Sequence, residues 1–196
     1  MTPAAPLQFL PPEEAARANF YALLARLFYA PPDGTLLKAI AGDTMEGDLA
    51  DPWSDLARAA ADADAEAVRE EYETAFIGTG KAPVTLYTSA YTIRYSSEVP
   101  LAELRGELAA LGLARRAEVR EPEDHIAALC DTMRHLIAEQ KIDLDQQRRF
   151  FNRWIAPTVE PLCGAIERSE KTSFYKPVAR FAKSFLVLEQ AAFEML

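Results

Sequence analysis

"FYKPVARFAKSFLVLEQAAFEM", residues 174–195, decides the fold class. Phe174, Val178, Phe181, Phe185, Leu188, Ala192 and Met195 recur in steps of four and three. That spacing sets all seven on one stripe of a helix, so the stretch is expected to be a long helix packed along a core or bundle seam.

Working back from it, the same periodicity returns almost everywhere. Phe151, Trp154 and Ile155 share a helix that Pro157 and Pro161 are expected to end or kink. Ile126, Leu129, Cys130, Met133, Leu136 and Ile137 make a clear apolar stripe. Leu101, Leu104, Leu108 and Leu111 make another, with Gly112 at its end. Val68, Tyr72, Ala75 and Phe76 mark a helix ending at Gly78, and Leu36, Leu37 and Ile40 a shorter one. Pro52 and Trp53 open a helix after the loop that precedes them, and Phe20, Leu23, Leu24, Leu27 and Phe28 lie on the first helix, behind the acidic start "PPEEAA". No strand alternation or hairpin signal competes. The expected fold class is all-α, a single-domain multi-helix bundle over residues 1–196.

Composition agrees. The 196 residues are 49% apolar and 26% charged, with only eight glycines, which is a globular and helix-favouring balance. No apolar run is long enough to span a membrane, so no stable membrane insertion is expected. The first twenty residues lack a basic region followed by an apolar stretch, so a cytoplasmic location is expected. The formal charge of −9, without a long basic cluster, argues against nucleic acid and anionic lipid as partners. The acidity also suits plain solubility.

Cys130 and Cys163 fall at apolar helical positions and read as buried thiols. No cysteine pair has zinc-finger spacing and the two histidines, His125 and His135, stand ten apart, so no metal site is expected. No catalytic motif occurs. "GTGKAP" at 78–83 follows a helix rather than a strand and is too short for a phosphate-binding P-loop. Cys130 and His125 sit about 140° apart on a helix, too far round to form a nucleophile–base pair. Neither an enzyme nor a cofactor is nominated.

Two stretches stand apart. Residues 78–100, "GTGKAPVTLYTSAYTIRYSSEVP", lack helical period and carry three tyrosines, two glycines and two prolines. A connection this long inside a domain is often functional, so it is a binding-loop candidate, with a helical turn expected near Ser89–Tyr95. The other is "VREPEDHIAAL", residues 119–129. With Pro122 as the first helical residue, Glu123 and Asp124 are ordinary first-turn acids that oppose the positive helix end. A helical wheel then turns Asp124 to solvent and leaves His125 at the edge of the apolar stripe, within reach of a groove. A lone histidine at the border of an apolar face is more often a satisfied boundary residue than a binding site.

Three segments together resemble the TorD-like family of chaperones for molybdenum-containing oxidoreductases. They are "EEYETAFIGTGKAPVTLYTSAY" (70–91), "EPEDHIAAL" (121–129), which matches an E-P-x-D-H signature, and "FFNRWIAPTVEPLCGAI…SFYKPVARFAKSFLVLE" (150–189). The resemblance implies an all-helical cytoplasmic chaperone that binds the twin-arginine leader of a molybdopterin-containing catalytic subunit and delays export until the cofactor is inserted. It implies a peptide-binding region at Glu121, Pro122, Glu123, Asp124 and His125, between two halves hinged near 114–122. It also implies a wall of Tyr72, Phe76, Pro83 and Tyr87. Where some relatives carry Pro-Trp, this chain has Leu86 and Tyr87.

Carboxylates would suit the two guanidinium groups, and the aromatic rings the apolar part of the leader. The alternative is a private chaperone for the enzyme core or the cofactor-insertion step that does not read a signal peptide. A nucleotide hydrolase using "GTGKAP" and a plain helical scaffold are the remaining readings. A monomer is the simpler expectation, and exchange of the final helix in a domain-swapped dimer stays open.

Overall fold

The computed structural model describes residues 10–78, 82–93, 99–115, 119, 121–139 and 142–195. Its regular structure is helical: α1 (Pro12–Tyr29), α2 (Gly34–Ala41), α3 (Ala50–Asp62), α4 (Ala65–Tyr72), α5 (Ser89–Thr92), α6 (Pro100–Ala110), α7 (Ile126–Ala138), α8 (Leu144–Phe150), α9 (Ala156–Arg168) and α10 (Tyr175–Glu194). The all-α expectation holds. No helix among the described residues is long and apolar enough to cross a membrane.

Local chemistry sets the helix ends. Pro12 opens α1, followed by Glu13 and Glu14 in the first turn. The Pro31–Pro32 pair then forces the preceding chain out of the helical region. Asp33, Asp64 and Asp143 cap α2, α4 and α8, each accepting from backbone N–H groups of the first turn. The expected end at Gly78 is there, with a left-handed φ of 61° that glycine adopts freely.

Two π-turns interrupt the helical rows. Glu73–Ile77 continues α4, and Phe151–Ile155 joins α8 to α9. In each, a backbone N–H reaches a carbonyl five residues back: Gly78 to Glu73 and Ala156 to Phe151. The second turn revises the sequence expectation. Pro157 does not end the helix, because it falls in the first turn of α9, where a missing N–H costs little; Pro161 is carried inside α9.

The core draws side chains from α1 through α10. The α1 stripe Ala18, Tyr21, Leu24, Leu27 and Phe28 packs on the α7 stripe Ile126, Leu129, Cys130, Met133, Leu136 and Ile137. Helix α10 lies against α9 and α3, with Phe181 and Phe185 edge-on to Trp53 and Tyr21. Its last two turns correct the sequence reading. Leu188 and Ala192 face solvent and Met195 is 83% exposed, while Leu186, Glu189 and Phe193 turn inward. The reason is Glu189, which lies between Arg17 (2.8 and 2.9 Å) and the Tyr21 hydroxyl (3.1 Å) and rotates the buried face toward α1.

Polar side chains close other joints. The Tyr72 hydroxyl bridges the carbonyls of Phe28 and Tyr29 at the end of α1, and the Tyr175 hydroxyl donates to that of Leu27. Glu71 accepts from the N–H groups of Ser173, Phe174 and Tyr175 at 2.8–2.9 Å, so α4 caps α10. The expected hinge near 114–122 lies partly outside the described residues, which omit 116–118 and 120.

Candidate functional site

The loop after α4 is tied at two points. Val84 donates to the Ala75 carbonyl at 3.0 Å, and Val84 and Leu86 are buried. Further on, Tyr87 and His125 form an isolated antiparallel bridge. Thr88 donates its N–H to the Asp124 carbonyl at 2.9 Å, and Ile126 donates to the Leu86 carbonyl at 2.9 Å. The Thr88 hydroxyl donates a second bond to the Asp124 carbonyl, at 3.0 Å. One rung of sheet thus fastens the loop to the head of α7.

This rung changes the reading of "EPEDH". Helix α7 begins at Ile126, not at Pro122, and His125 is its N-cap. Pro122, Glu123 and Asp124 form a turn ahead of it, so the helical wheel does not apply to them. Asp124 does not face solvent: it is 6% exposed, and its carboxylate accepts from the Ser89 hydroxyl. No cation among the described residues pairs with it.

His125 is buried too, at 5% exposure. Its Nδ1 accepts the Ala127 N–H at 3.2 Å, which leaves the ring proton on Nε2. Burial holds its pKa below the ordinary value, against the opposing pull of Glu121 and Asp124. The ring meets Tyr87 edge-on at 5.3 Å. The Tyr87 hydroxyl donates to Glu121, a bond that with partial burial pushes the phenol up to about 12. Glu123 is held by Arg105 at 3.0 Å and Arg115 at 3.4 Å. Burial raises its pKa, but a backbone hydrogen bond and these arginines outweigh that and leave it lowered.

The structure therefore brings Tyr87, Glu121, Asp124 and His125 together, with Pro122 and Glu123 on the same turn. Tyr72 and Phe76 form a neighbouring aromatic block with Tyr175, at ring separations of 4.8–5.7 Å. Both are buried and offer little open ring face. Tyr72 lies near enough to Glu121 and Tyr87 for their charge to add to burial in raising its pKa. Pro83 is exposed and stands apart from the junction; residues 79–81 of "GTGKAP" lie outside the described residues. The thiols are buried and kept protonated, Cys163 with its pKa pushed up to about 12.

Beside the junction opens a pocket of about 210 Å³, where Asp124 and Ser89 meet Glu103 of α6 and Arg153 and Trp154 of the second π-turn. Sequence reasoning named only Asp124 among these. Ser89 was visible in the Ser-x-Tyr motif and Trp154 in the closing helix, but nothing local pointed either at the other.

The site is thus an all-helical scaffold with a loop riveted to a helix cap and a pocket of mixed acid and aromatic character beside the rivet. Residues 43–163 match the sequence pattern of the family described as nitrate reductase delta subunit, and the chain belongs to that family. The TorD-like resemblance stands with it. The chain is 30% identical over 129 residues to the chaperone protein TorD of Aliivibrio fischeri, a match spanning 59% of each chain. A crystal structure of a redox enzyme maturation protein from Archaeoglobus fulgidus superposes with a TM-score of 0.57 at 22% identity, covering 94% of this chain and 99% of that one. That likeness shows a shared fold.

Proposed function

We propose that the chain is a maturation chaperone for a molybdenum-containing oxidoreductase. It binds the N-terminal twin-arginine leader of the catalytic subunit in the cytoplasm and holds it while the cofactor is inserted. The chain acts as one domain, for which the continuous core from α1 to α10 is the support. The leader lies along the Tyr87–Ser89 and Glu121–His125 junction, with the exposed Ile93 and Val99 available to its apolar part.

The single observation that carries this reading is Asp124. A carboxylate buried this deeply normally has a cation, and among the described residues Asp124 has one hydroxyl instead. It borders a pocket open to solvent, where an arriving guanidinium makes a charge-assisted pair. The family assignment and the name of the TorD relative point to the same client class.

The test is capture of clients on tagged protein from its host, with partners identified by mass spectrometry. A molybdoenzyme catalytic subunit with its leader intact is expected on the wild type, and roughly tenfold less on Asp124→Asn, which keeps the Ser89 bond but loses the charge. Equal capture of a client whose leader has been removed would instead assign the chain to the enzyme core or the cofactor-insertion step.

A further inference from the structure

The pocket beside Asp124 already contains a guanidinium, and it comes from the protein itself. Arg153 lays its guanidinium over the Trp154 ring, 4.8 Å from the centroid. Its nitrogens reach Glu103 at 2.8 Å and Glu107 at 3.4 Å. Glu107 also accepts the Trp154 indole N–H at 2.8 Å, so one carboxylate fixes both the ring and the arginine above it. Two carboxylates, Glu103 and Glu107, thus hold one internal cation, and Asp124 lines the same pocket.

The hold on Arg153 is weak where it matters. Its side chain is 52% exposed and that of Glu103 54%, and ion pairs this open contribute little. Asp124 is the reverse: buried, acidic and, among the described residues, without a cation. A second guanidinium that reached Asp124 would pair in a drier setting, where charge interactions are stronger. Trp154 is itself nearly buried, and Arg153 shields a face of its ring. The pocket has the parts of an arginine-binding site, with an internal arginine resting at its outer edge.

Resting on the leader-binding reading above, we propose that this pocket takes one arginine side chain of the partner peptide, stacked on Trp154 between Asp124 and Glu103, and that Arg153 is a placeholder the peptide arginine displaces. Arg153 then tunes affinity: the free protein spends part of its time with the pocket filled, and the apparent affinity falls by the fraction that is open. The placeholder also keeps the acidic pocket from collecting stray cations before a partner arrives.

The experiment measures binding of two fluorescein-labelled synthetic peptides to the full chain. One carries an Arg-Arg pair followed by an apolar run, and the other Lys-Lys in its place. Arg153→Gln is expected to tighten the Arg-Arg peptide by about threefold to tenfold. Glu107→Gln, which loosens Arg153 while keeping it in the chain, is expected to move affinity the same way by less. Arg134→Gln removes an equal charge from the exposed face of α7 and is expected to change little, which separates displacement from general attraction. Asp124→Asn is expected to weaken binding about tenfold.

If the wild type binds Arg-Arg and Arg153→Gln binds no tighter than Arg134→Gln, the placeholder is overturned while leader binding stands. Equal affinity for Lys-Lys would overturn the guanidinium pocket. A wild type that fails to bind while Arg153→Gln succeeds supports the proposal most strongly. Failure of every variant to bind either peptide overturns both readings.

Discussion

His125 shows how one side chain carries both the fold and a pH response. Its Nδ1 accepts the Ala127 N–H only while unprotonated, and burial lowers its pKa although Glu121 and Asp124 pull the other way. The unfolded chain therefore takes up a proton near the ordinary value of 6.5, and the folded one only at lower pH. Stability from this group is fully present above that value and falls as pH drops from it toward the native one, by at most about 1.4 kcal/mol per pH unit. His125→Asn keeps a capping side chain without the titration, so its unfolding free energy, measured by urea titration from neutral to mildly acid pH, is expected to lose that part of the slope. An unchanged slope would place the pH response elsewhere. Residue by residue, the sequence misplaced the local geometry. Pro122 looks like a helix start, but the rung between Tyr87 and His125 delays the helix to Ile126 and buries Asp124. Its partners are Thr88 and Ser89, a contact that no local pattern encodes.

At the level of elements, long apolar periods were legible and their joints were not. The stripe of α7 reads directly from the sequence because nothing in it competes with burial. In α10 the same rule fails past Phe185, since the inward residue is a glutamate whose partner lies 172 positions earlier. Tyr72 is a further case: an aromatic residue fit for a groove wall proves to end α1 by bridging two carbonyls. Tyr72→Phe keeps the ring and removes that bridge, and a loss of about 1–2 kcal/mol in urea unfolding is expected, with peptide affinity unchanged. Lost affinity at unchanged stability would return Tyr72 to the binding surface.

Across the whole molecule, the first and last long helices are joined by Arg17, Glu189 and Tyr21, with Arg17 also stacked on Phe193 at 5.3 Å. Glu189→Ala strands a largely buried guanidinium that Glu14 only partly satisfies, so a cost of about 3 kcal/mol in thermal or urea unfolding is expected. A loss below about 1 kcal/mol would mean that Glu14 substitutes for it. The second π-turn has a reach of the same order. Its extra residue is what sets Arg153 and Trp154 over the acidic pocket while α9 keeps its own face on α10. Delete one residue from Phe151–Ile155 and an unbroken α-helix can form with α8 and α9 keeping their faces, but the side chains within the turn, Arg153 and Trp154 among them, swing by up to about 100° round the axis. Among relatives, then, a single-position gap in this stretch is a change of bearing rather than of length, and it would mark lineages that turn a different side chain toward the pocket.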